Sequence, residues 1–166
     1  ALEAALGKHC KALILNTPNN PSGAVLSEEA LRALGALLRR KEAEYGHAIY
    51  LISDEPYREL TWEEAAPRRA VTQYYDDALI CYSFSKSLSL PGERIGYIAI
   101  GGAAAEKEAL RDAVAGAARM LGFVCAPAMM QYLVAAHPAK TSDFSAYLEN
   151  RKILTDALRA MGYSFV

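Results

Sequence analysis

Three short apolar runs alternate with longer, more polar segments in the first half of the chain. They cover residues 11–15, 48–52 and 78–82, and each is mainly apolar at consecutive positions rather than at alternate ones. Continuous runs of this kind are typical of strands buried on both faces of a parallel sheet. Between the first two runs, the segment from Ser27 to Gly46 has the period of an amphipathic helix, with a capping residue at its start and a glycine stop at its end. The pattern predicts an α/β fold, with a mostly parallel sheet covered by helices.

A fourth apolar run, residues 95–100, follows the third after about a dozen residues. That distance is too short for a crossover helix, so we expect this strand to lie antiparallel at an edge of the sheet. Helices are then predicted over three segments: 103–120, 128–136 and about 142–161. Residues 162–166 resemble the beginning of another strand, and the segment between the second and third runs, residues 55–77, is typical of loops with a short helix.

Length, composition and charge narrow the classes of function. The 166 residues are 52% hydrophobic and 22% charged, which fits one globular domain. The net charge is −1 with both signs interspersed, so neither nucleic acid nor a membrane surface is an expected partner. No run approaches the roughly 20 apolar residues of a membrane span, and no secretory signal opens the chain, so we expect a cytoplasmic protein.

The three cysteines, Cys10, Cys81 and Cys125, lie far apart and form no Cys-x-x-Cys pair. An odd number of widely spaced cysteines is typical of reduced thiols in an intracellular protein. We therefore predict three buried thiols, and neither a metal site nor a catalytic cysteine.

Residues with candidate chemistry follow the ends of the predicted strands. Asn20 lies in an Asn-Pro-Ser-Gly loop after the first strand, and Asp54 and Tyr57 follow the second. Lys86 stands among serines after the third strand, and Arg94 comes eight residues later. Taken singly, each has a structural alternative: a solvated lysine, a helix-capping aspartate, a packing tyrosine or an ordinary turn. Their shared position matters, because open α/β sheets bind ligands at the carboxyl ends of their strands.

Together these motifs resemble those of the class I and II aminotransferases, which are pyridoxal 5′-phosphate (PLP) enzymes of fold type I, and in particular the aspartate and aromatic aminotransferases. The matching stretches lie in order within residues 12–100. The resemblance implies that residues 1–140 are part of the PLP-binding large domain. It implies that residues 141–166 are the linking helix and the start of a truncated small C-terminal domain. The chain is thus expected to be an internal fragment of an aminotransferase.

The resemblance also implies a role for the matched residues around the cofactor ring. Lys86 would carry the Schiff base to PLP and move a proton at the substrate, which requires a lowered pKa supplied by desolvation and nearby cations. Asp54 would hold the protonated pyridine nitrogen. Tyr57 and Asn20 would donate hydrogen bonds to the phenolic oxygen of the ring. The Asn20–Pro21 peptide bond is expected to be cis.

Further residues match the phosphate contacts of that family. Ser83 and Arg94 would supply a hydroxyl and a guanidinium to the phosphate. Ser85 and Ser87 are either second contacts or loop formers. Two nearby glycines are expected to serve backbone geometry or close packing: Gly92 and Gly96.

No residue matches the family's upstream phosphate loop, its ring-stacking aromatic side chain or the arginine that holds the substrate carboxylate. Three arginines lie on predicted helices without a matching motif: Arg119, Arg151 and Arg159. The resemblance implies that the full-length protein is a homodimer that moves an amino group between an amino acid and a 2-oxo acid in two stages, with aspartate or an aromatic amino acid as donor. This chain alone is expected to be inactive. The alternatives are a C–S lyase on the same scaffold, a non-catalytic sensing domain of a transcription regulator, and a structural piece without a ligand.

Overall fold

The computed structural model describes residues 1–61, 69–138 and 140–165, and a sheet forms the centre of this part of the chain. Its four strands lie side by side in chain order: β1 (Ala12–Asn16), β2 (Tyr50–Asp54), β3 (Ala78–Ser83) and β4 (Gly96–Ile100). β1, β2 and β3 pair in parallel, and β4 pairs antiparallel with β3. The α/β class and the antiparallel fourth strand are therefore confirmed.

Helix α2 (Glu28–Tyr45) contributes one side of the hydrophobic core. Ser27 Oγ accepts a hydrogen bond from the Ala30 amide over 3.1 Å, and Gly46 ends the helix at φ 72°, as the sequence predicts. The helix buries one apolar stripe against β2, β3 and the segment before β3. The core residues of this contact are Leu31, Leu34, Leu38, Ile49, Leu51, Val71, Tyr75 and Ala78.

A substitution at Leu38 tests the assignment of this core, because the exposed fraction of Leu38 is 0%. Replacing Leu38 with alanine removes buried methyl groups and leaves a cavity, so we expect the free energy of unfolding to fall by about 2–5 kcal/mol. Urea denaturation of the chain measures the change. Leu154→Ala is the matched control on an exposed helical position, where we expect a change within about 0.5 kcal/mol. Equal losses for the two variants would contradict the assignment of the core.

The other α-helices of the described residues are α1 (Leu2–Ala5), α3 (Phe84–Ser87), α4 (Lys107–Met120), α5 (Ala128–Ala136) and α6 (Ser145–Ala160). Of these, α4, α5 and α6 lie close to the three helices that the sequence predicts, whereas α3 was not predicted. α4 begins four residues later than predicted, because the Ala104 amide closes a turn onto Gly101 and the Ala105 amide donates to Asp77 Oδ1. α6 begins after Asp143, whose carboxylate accepts hydrogen bonds from the Ser145 amide and hydroxyl. None of the described helices is both long and apolar enough to cross a membrane.

The two segments that the sequence leaves less regular have different outcomes. Residues 162–165 form no strand, because α6 ends in a turn in which the Tyr163 amide bonds back to Leu158; residue 166 lies outside the described residues. The segment between β2 and β3 contains turns, in which the Arg58 and Leu60 amides donate three residues back to Glu55 and Tyr57, and a short 3₁₀ helix, Val71–Gln73, as the sequence predicts; residues 62–68 lie outside the described residues.

The three cysteines are free thiols but are not all buried. Cys10 and Cys81 are half-buried, and Cys125 is exposed between α4 and α5. The prediction of buried thiols is therefore wrong for Cys125, because this connection does not pack into the core. In the described part of the chain, no group of histidine, cysteine, aspartate and glutamate side chains could hold a metal ion.

Candidate active site

The ends of β1 and β2 bring the first candidate residues together. In the parallel register Asn16 lies opposite Asp54, so the last residues of both strands are neighbours. Asn16 Nδ2 donates to the Asp54 carbonyl oxygen over 3.0 Å and to the carboxylate oxygen Oδ2 over 3.3 Å. The other carboxylate oxygen, Oδ1, receives no hydrogen bond from the residues that the structure describes. Asp54 therefore keeps one oxygen available to a ligand.

Asn20, Tyr57 and Lys86 form a cluster beside this strand end. Asn20 Nδ2 donates to the Tyr57 hydroxyl over 2.9 Å, and Lys86 Nζ lies 5.9 Å from the centroid of the Tyr57 ring. The Asn20–Pro21 peptide bond is cis, as predicted. The three residues are far apart in sequence and meet because the loops after β1 and β2 and the short helix α3 share one edge of the sheet.

The Lys86 side chain is exposed. α3 places it one turn after β3, on the open side of the strand ends. The described residues therefore do not bury Lys86, and its desolvation in the full-length protein stays a prediction.

Asp54, Ser83 and Arg94 line an open cleft of about 680 Å³. One wall comes from β3 and β4, including Tyr82 and Gly96, and apolar residues of α4 and the following connection form the other. The cleft thus joins a carboxylate, a hydroxyl and a guanidinium to an apolar surface. This combination suits a flat ligand with charged groups at its rim.

At one end of the sheet, Ser83, Ser85 and Arg94 also line a small pocket of about 180 Å³. Ser83 Oγ accepts from the Ser85 amide over 3.1 Å, and the two hydroxyl oxygens lie 2.7 Å apart. Arg94 is exposed and donates one N–H to the Pro91 carbonyl oxygen over 2.7 Å, which holds the guanidinium next to the loop. Two hydroxyls and a guanidinium are donors that suit a phosphate.

Ser87 differs from Ser83 and Ser85, because it is the buried last residue of α3. Its hydroxyl accepts a hydrogen bond from the Tyr82 hydroxyl over 2.7 Å, and its carbonyl oxygen accepts from the Ser142 amide over 2.6 Å. Burial, opposed in part by this hydrogen bond to Ser87, raises the pKa of Tyr82 to about 12. The tyrosine therefore stays protonated and fixes the helix that carries Lys86, so Ser87 is a structural residue.

The two glycines of the Arg94 loop differ in their surroundings. A Cβ atom at Gly96 would overlap the Tyr82 carbonyl oxygen across the β3–β4 pair. Gly96 is therefore required for close strand packing, as predicted. A Cβ atom at Gly92 would meet no atom within 4 Å, so packing does not explain that glycine.

The structure adds three polar residues that the sequence analysis did not assign: Asn16, Glu55 and Arg58. Glu55 is 3% exposed, and its carboxylate accepts from Ser53 Oγ over 2.6 Å and from Arg58 Nε over 2.9 Å. Arg58 also lies over the Tyr82 ring. This network fixes the turn between Asp54 and Tyr57. In the sequence, only the positions of these residues could have indicated their role. Asn16 directly precedes the Asn20 loop, and Glu55 directly follows Asp54.

Cys81 lies next to Asp54 on β3 and lines the same cleft. Burial, reinforced by the negative charges of Asp54 and Glu55, raises the pKa of its thiol. A protonated thiol is a weak nucleophile and a poor metal ligand. The cysteine is therefore part of the wall and not a reactive group.

Comparison with known proteins gives a consistent picture for the whole chain. The family described as aminotransferase class I and II matches residues 1–166. The solved structure of an aminotransferase from Eubacterium rectale is 47% identical, with a TM-score of 0.94, over 98% of this chain and 41% of that protein. An aminotransferase from Mycobacterium tuberculosis is 26% identical, with a TM-score of 0.70, over 96% of this chain and 42% of its own.

Curated relatives agree with the solved structures. A probable aspartate/prephenate aminotransferase from Thermus aquaticus is 29% identical over 98% of this chain and 41% of its own length. A probable N-acetyl-LL-diaminopimelate aminotransferase from Bacillus subtilis is 37% identical over 58% of this chain and 23% of its own length. The chain spans less than half the length of these relatives.

Proposed function

This chain belongs to the class I and II aminotransferase family, and from that membership we propose that the full-length protein is a PLP-dependent aminotransferase. It moves an amino group from an amino acid to a 2-oxo acid in two stages. The observation that carries the proposal is the cluster of Asn20, Tyr57 and Lys86 beside the carboxylate of Asp54. The carboxylate and the tyrosine lie at the end of β2 and in the turn after it, the asparagine lies in the loop after β1, and the lysine lies on α3 after β3.

The side chains of the site fit the functional groups of PLP. Asp54 offers a carboxylate oxygen to a pyridinium nitrogen. The Tyr57 hydroxyl accepts a hydrogen bond from Asn20. The hydroxyl proton of Tyr57 and the second amide proton of Asn20 can therefore be donated to a phenolic oxygen. Lys86 supplies a primary amine for the carbonyl carbon. Ser83, Ser85 and Arg94 line a pocket that suits the phosphate group.

When bound, PLP supplies an electron sink for the charge that develops at the substrate Cα. Asp54 would present its carboxylate to the ring nitrogen, and a carboxylate at that place would favour the protonated nitrogen. Lys86 accepts a proton at the substrate Cα in its neutral form and returns it in its protonated form. Tyr57 and Asn20 hold the ring oxygen and orient the ring toward Lys86. The Arg94 guanidinium and the hydroxyls of Ser83 and Ser85 would hold the phosphate group.

The same proposal covers the remaining properties of the full-length protein. Residues 1–140 form part of its PLP-binding large domain, and residues 141–166 lead into its small domain. We propose aspartate as the donor, because relatives that match this chain include named aspartate aminotransferases. We also propose a cytoplasmic homodimer without nucleic-acid or membrane partners, in line with the mixed surface charge and the net charge of −1.

The proposal is tested by incubating the full-length protein with PLP and reducing it with borohydride. We expect the pyridoxyl group on Lys86 after peptide mapping, because its Nζ lies 5.9 Å from the centroid of the Tyr57 ring and α3 places it just after the end of β3. Turnover is measured in parallel with aspartate or an aromatic amino acid as donor and 2-oxoglutarate as acceptor.

Three other lysines serve as internal controls in the same peptide map: Lys8, Lys107 and Lys152. Modification of one of them in place of Lys86 would contradict the assignment. Labelling of Lys86 with release of sulfide from cysteine derivatives, and without amino transfer, would identify a C–S lyase. A protein that binds PLP without turning over any amino acid would identify a sensing domain.

A further inference from the structure

Asn16 bonds both to Asp54 and to the loop of Asn20. Its amide nitrogen donates to the carbonyl oxygen and to Oδ2 of Asp54, over 3.0 and 3.3 Å. Its amide oxygen accepts from Asn19 Nδ2 and from the Asn20 backbone amide, both over 3.0 Å. One side chain therefore connects the end of β2 to the loop that follows β1.

The amide of Asn16 uses its full hydrogen-bonding capacity in these contacts. A primary amide has two N–H donors and two acceptor lone pairs, and four partners occupy them. The contacts on the two sides of the amide require the same orientation of the side chain. Asp54 contributes only acceptor oxygens to the amide nitrogen, and the loop contributes only N–H donors to the amide oxygen. Such a fully satisfied amide is held rigidly, and its partners are held with it.

Both partners of Asn16 belong to the proposed cofactor site. Asp54 Oδ2 is oriented by the amide nitrogen, which leaves Oδ1 to face a ligand. The Asn20 backbone is held by the amide oxygen, and the Asn20 side chain donates to Tyr57. Asn19 extends the same network into the loop, because its side-chain oxygen accepts from the amide and the hydroxyl of Ser22 over 3.1 and 2.7 Å.

We propose that Asn16 is a positioning residue that sets the Asp54 carboxylate and the Asn20 loop in a common orientation toward the cofactor ring. The inference rests on the proposed function, since it assigns Asn16 a task in binding PLP. Asn16 itself acts through Asp54 and Asn20. Precise orientation of such groups matters, because small displacements in a preorganised site cost large factors in rate.

The test compares Asn16→Asp and Asn16→Ala in the full-length protein, with PLP as the probe. Asn16→Asp keeps the size and the acceptor oxygen toward Asn20, but it places a second carboxylate oxygen against Asp54. Asn16→Ala removes the hydrogen bonds to Asp54 and those to the loop of Asn20. Asn150→Asp, on the exposed surface of α6, is the matched control for the change of charge.

Three quantities are measured: the Kd for PLP, the pH midpoint of the absorbance of bound PLP, and kcat. The Tm of each variant is measured as well, to show that the variant is folded. For Asn16→Asp we expect a Kd at least about tenfold higher and a kcat about 100-fold lower. We expect the midpoint to move upward, because an added negative charge favours protonated forms nearby. Asn16→Ala is expected to raise Kd and lower kcat with a smaller movement of the midpoint, since it adds no charge.

The outcomes separate this inference from the function on which it rests. If the unaltered protein fails to bind PLP, the proposed function fails. If it binds PLP and both Asn16 variants keep Kd, midpoint and kcat within twofold, the positioning role is wrong and the function stands. A lowered Tm with the other quantities unchanged would likewise overturn the inference, because it would show a purely structural role.

Discussion

Replacing Lys86 with alanine in the full-length protein is expected to lower kcat for amino transfer by at least about 10³-fold. The substitution removes both the amine that attaches to the cofactor and the group that moves the substrate proton. A positioned acid or base alone contributes about 10²–10⁴-fold, and loss of the nucleophile adds to this. Steady-state kinetics with saturating PLP measures the change, and PLP binding is followed separately by absorbance.

Lys152→Ala is the control for this experiment. Lys152 is exposed on α6 and pairs with Asp156 over 2.8 Å, an ordinary surface ion pair that contributes little. We expect kcat to stay within twofold of the unaltered protein. Lys86→Arg adds a second comparison, because it keeps the positive charge but has no free amine and cannot act as a base near neutral pH. Near-normal turnover of Lys86→Ala would rule out its catalytic role.

Replacing Asp54 with alanine is expected to lower kcat by about 10²–10³-fold while raising the Kd for PLP by a much smaller factor. A charge aimed at the place where charge develops acts mainly in the transition state. Phosphate and ring-oxygen contacts come from other residues and remain. The expected signature is therefore a loss in kcat at saturating PLP, measured together with cofactor affinity.

Asp54→Asn separates the charge from the shape of the side chain. Its amide keeps an oxygen that accepts from Asn16, but it no longer favours a protonated ring nitrogen. We expect its kcat to be nearly as low as that of Asp54→Ala. Asp112→Asn, on the exposed face of α4, is the control without an effect. Equal losses in affinity and turnover, or an active Asp54→Asn, would exclude a role for the charge in the chemical step.

Much of the candidate site was visible in the order of its motifs. Asn20, Asp54 and Lys86 each follow an apolar run, and parallel strands present their carboxyl ends at one edge. A local pattern of this kind predicts which residues share that edge. It does not predict their contacts, because the path of each loop depends on side chains from other elements. The roles of these residues toward PLP stay predictions that the experiments above test.

Burial was the least predictable property of the site. The sequence context of Lys86 suggested desolvation, and the structure leaves its side chain exposed. Cys125 was expected in the core and lies on an exposed connection. Exposure depends on which elements pack over a residue, and the amino acids next to it in the sequence carry little of that information.

The sequence by itself determined the three parallel strands, the antiparallel fourth strand, the caps of α2 and the family to which the chain belongs. These features depend on local hydrophobic patterns, capping residues and short motifs. Only the tertiary structure decided that Asn16 bonds to Asp54, that Glu55 and Arg58 fix the turn that contains Tyr57, and that Ser87 is buried. The physical reason is that hydrogen bonds between side chains depend on strand register and loop path. In this chain the register of β1 with β2 brings together two residues that are 38 positions apart.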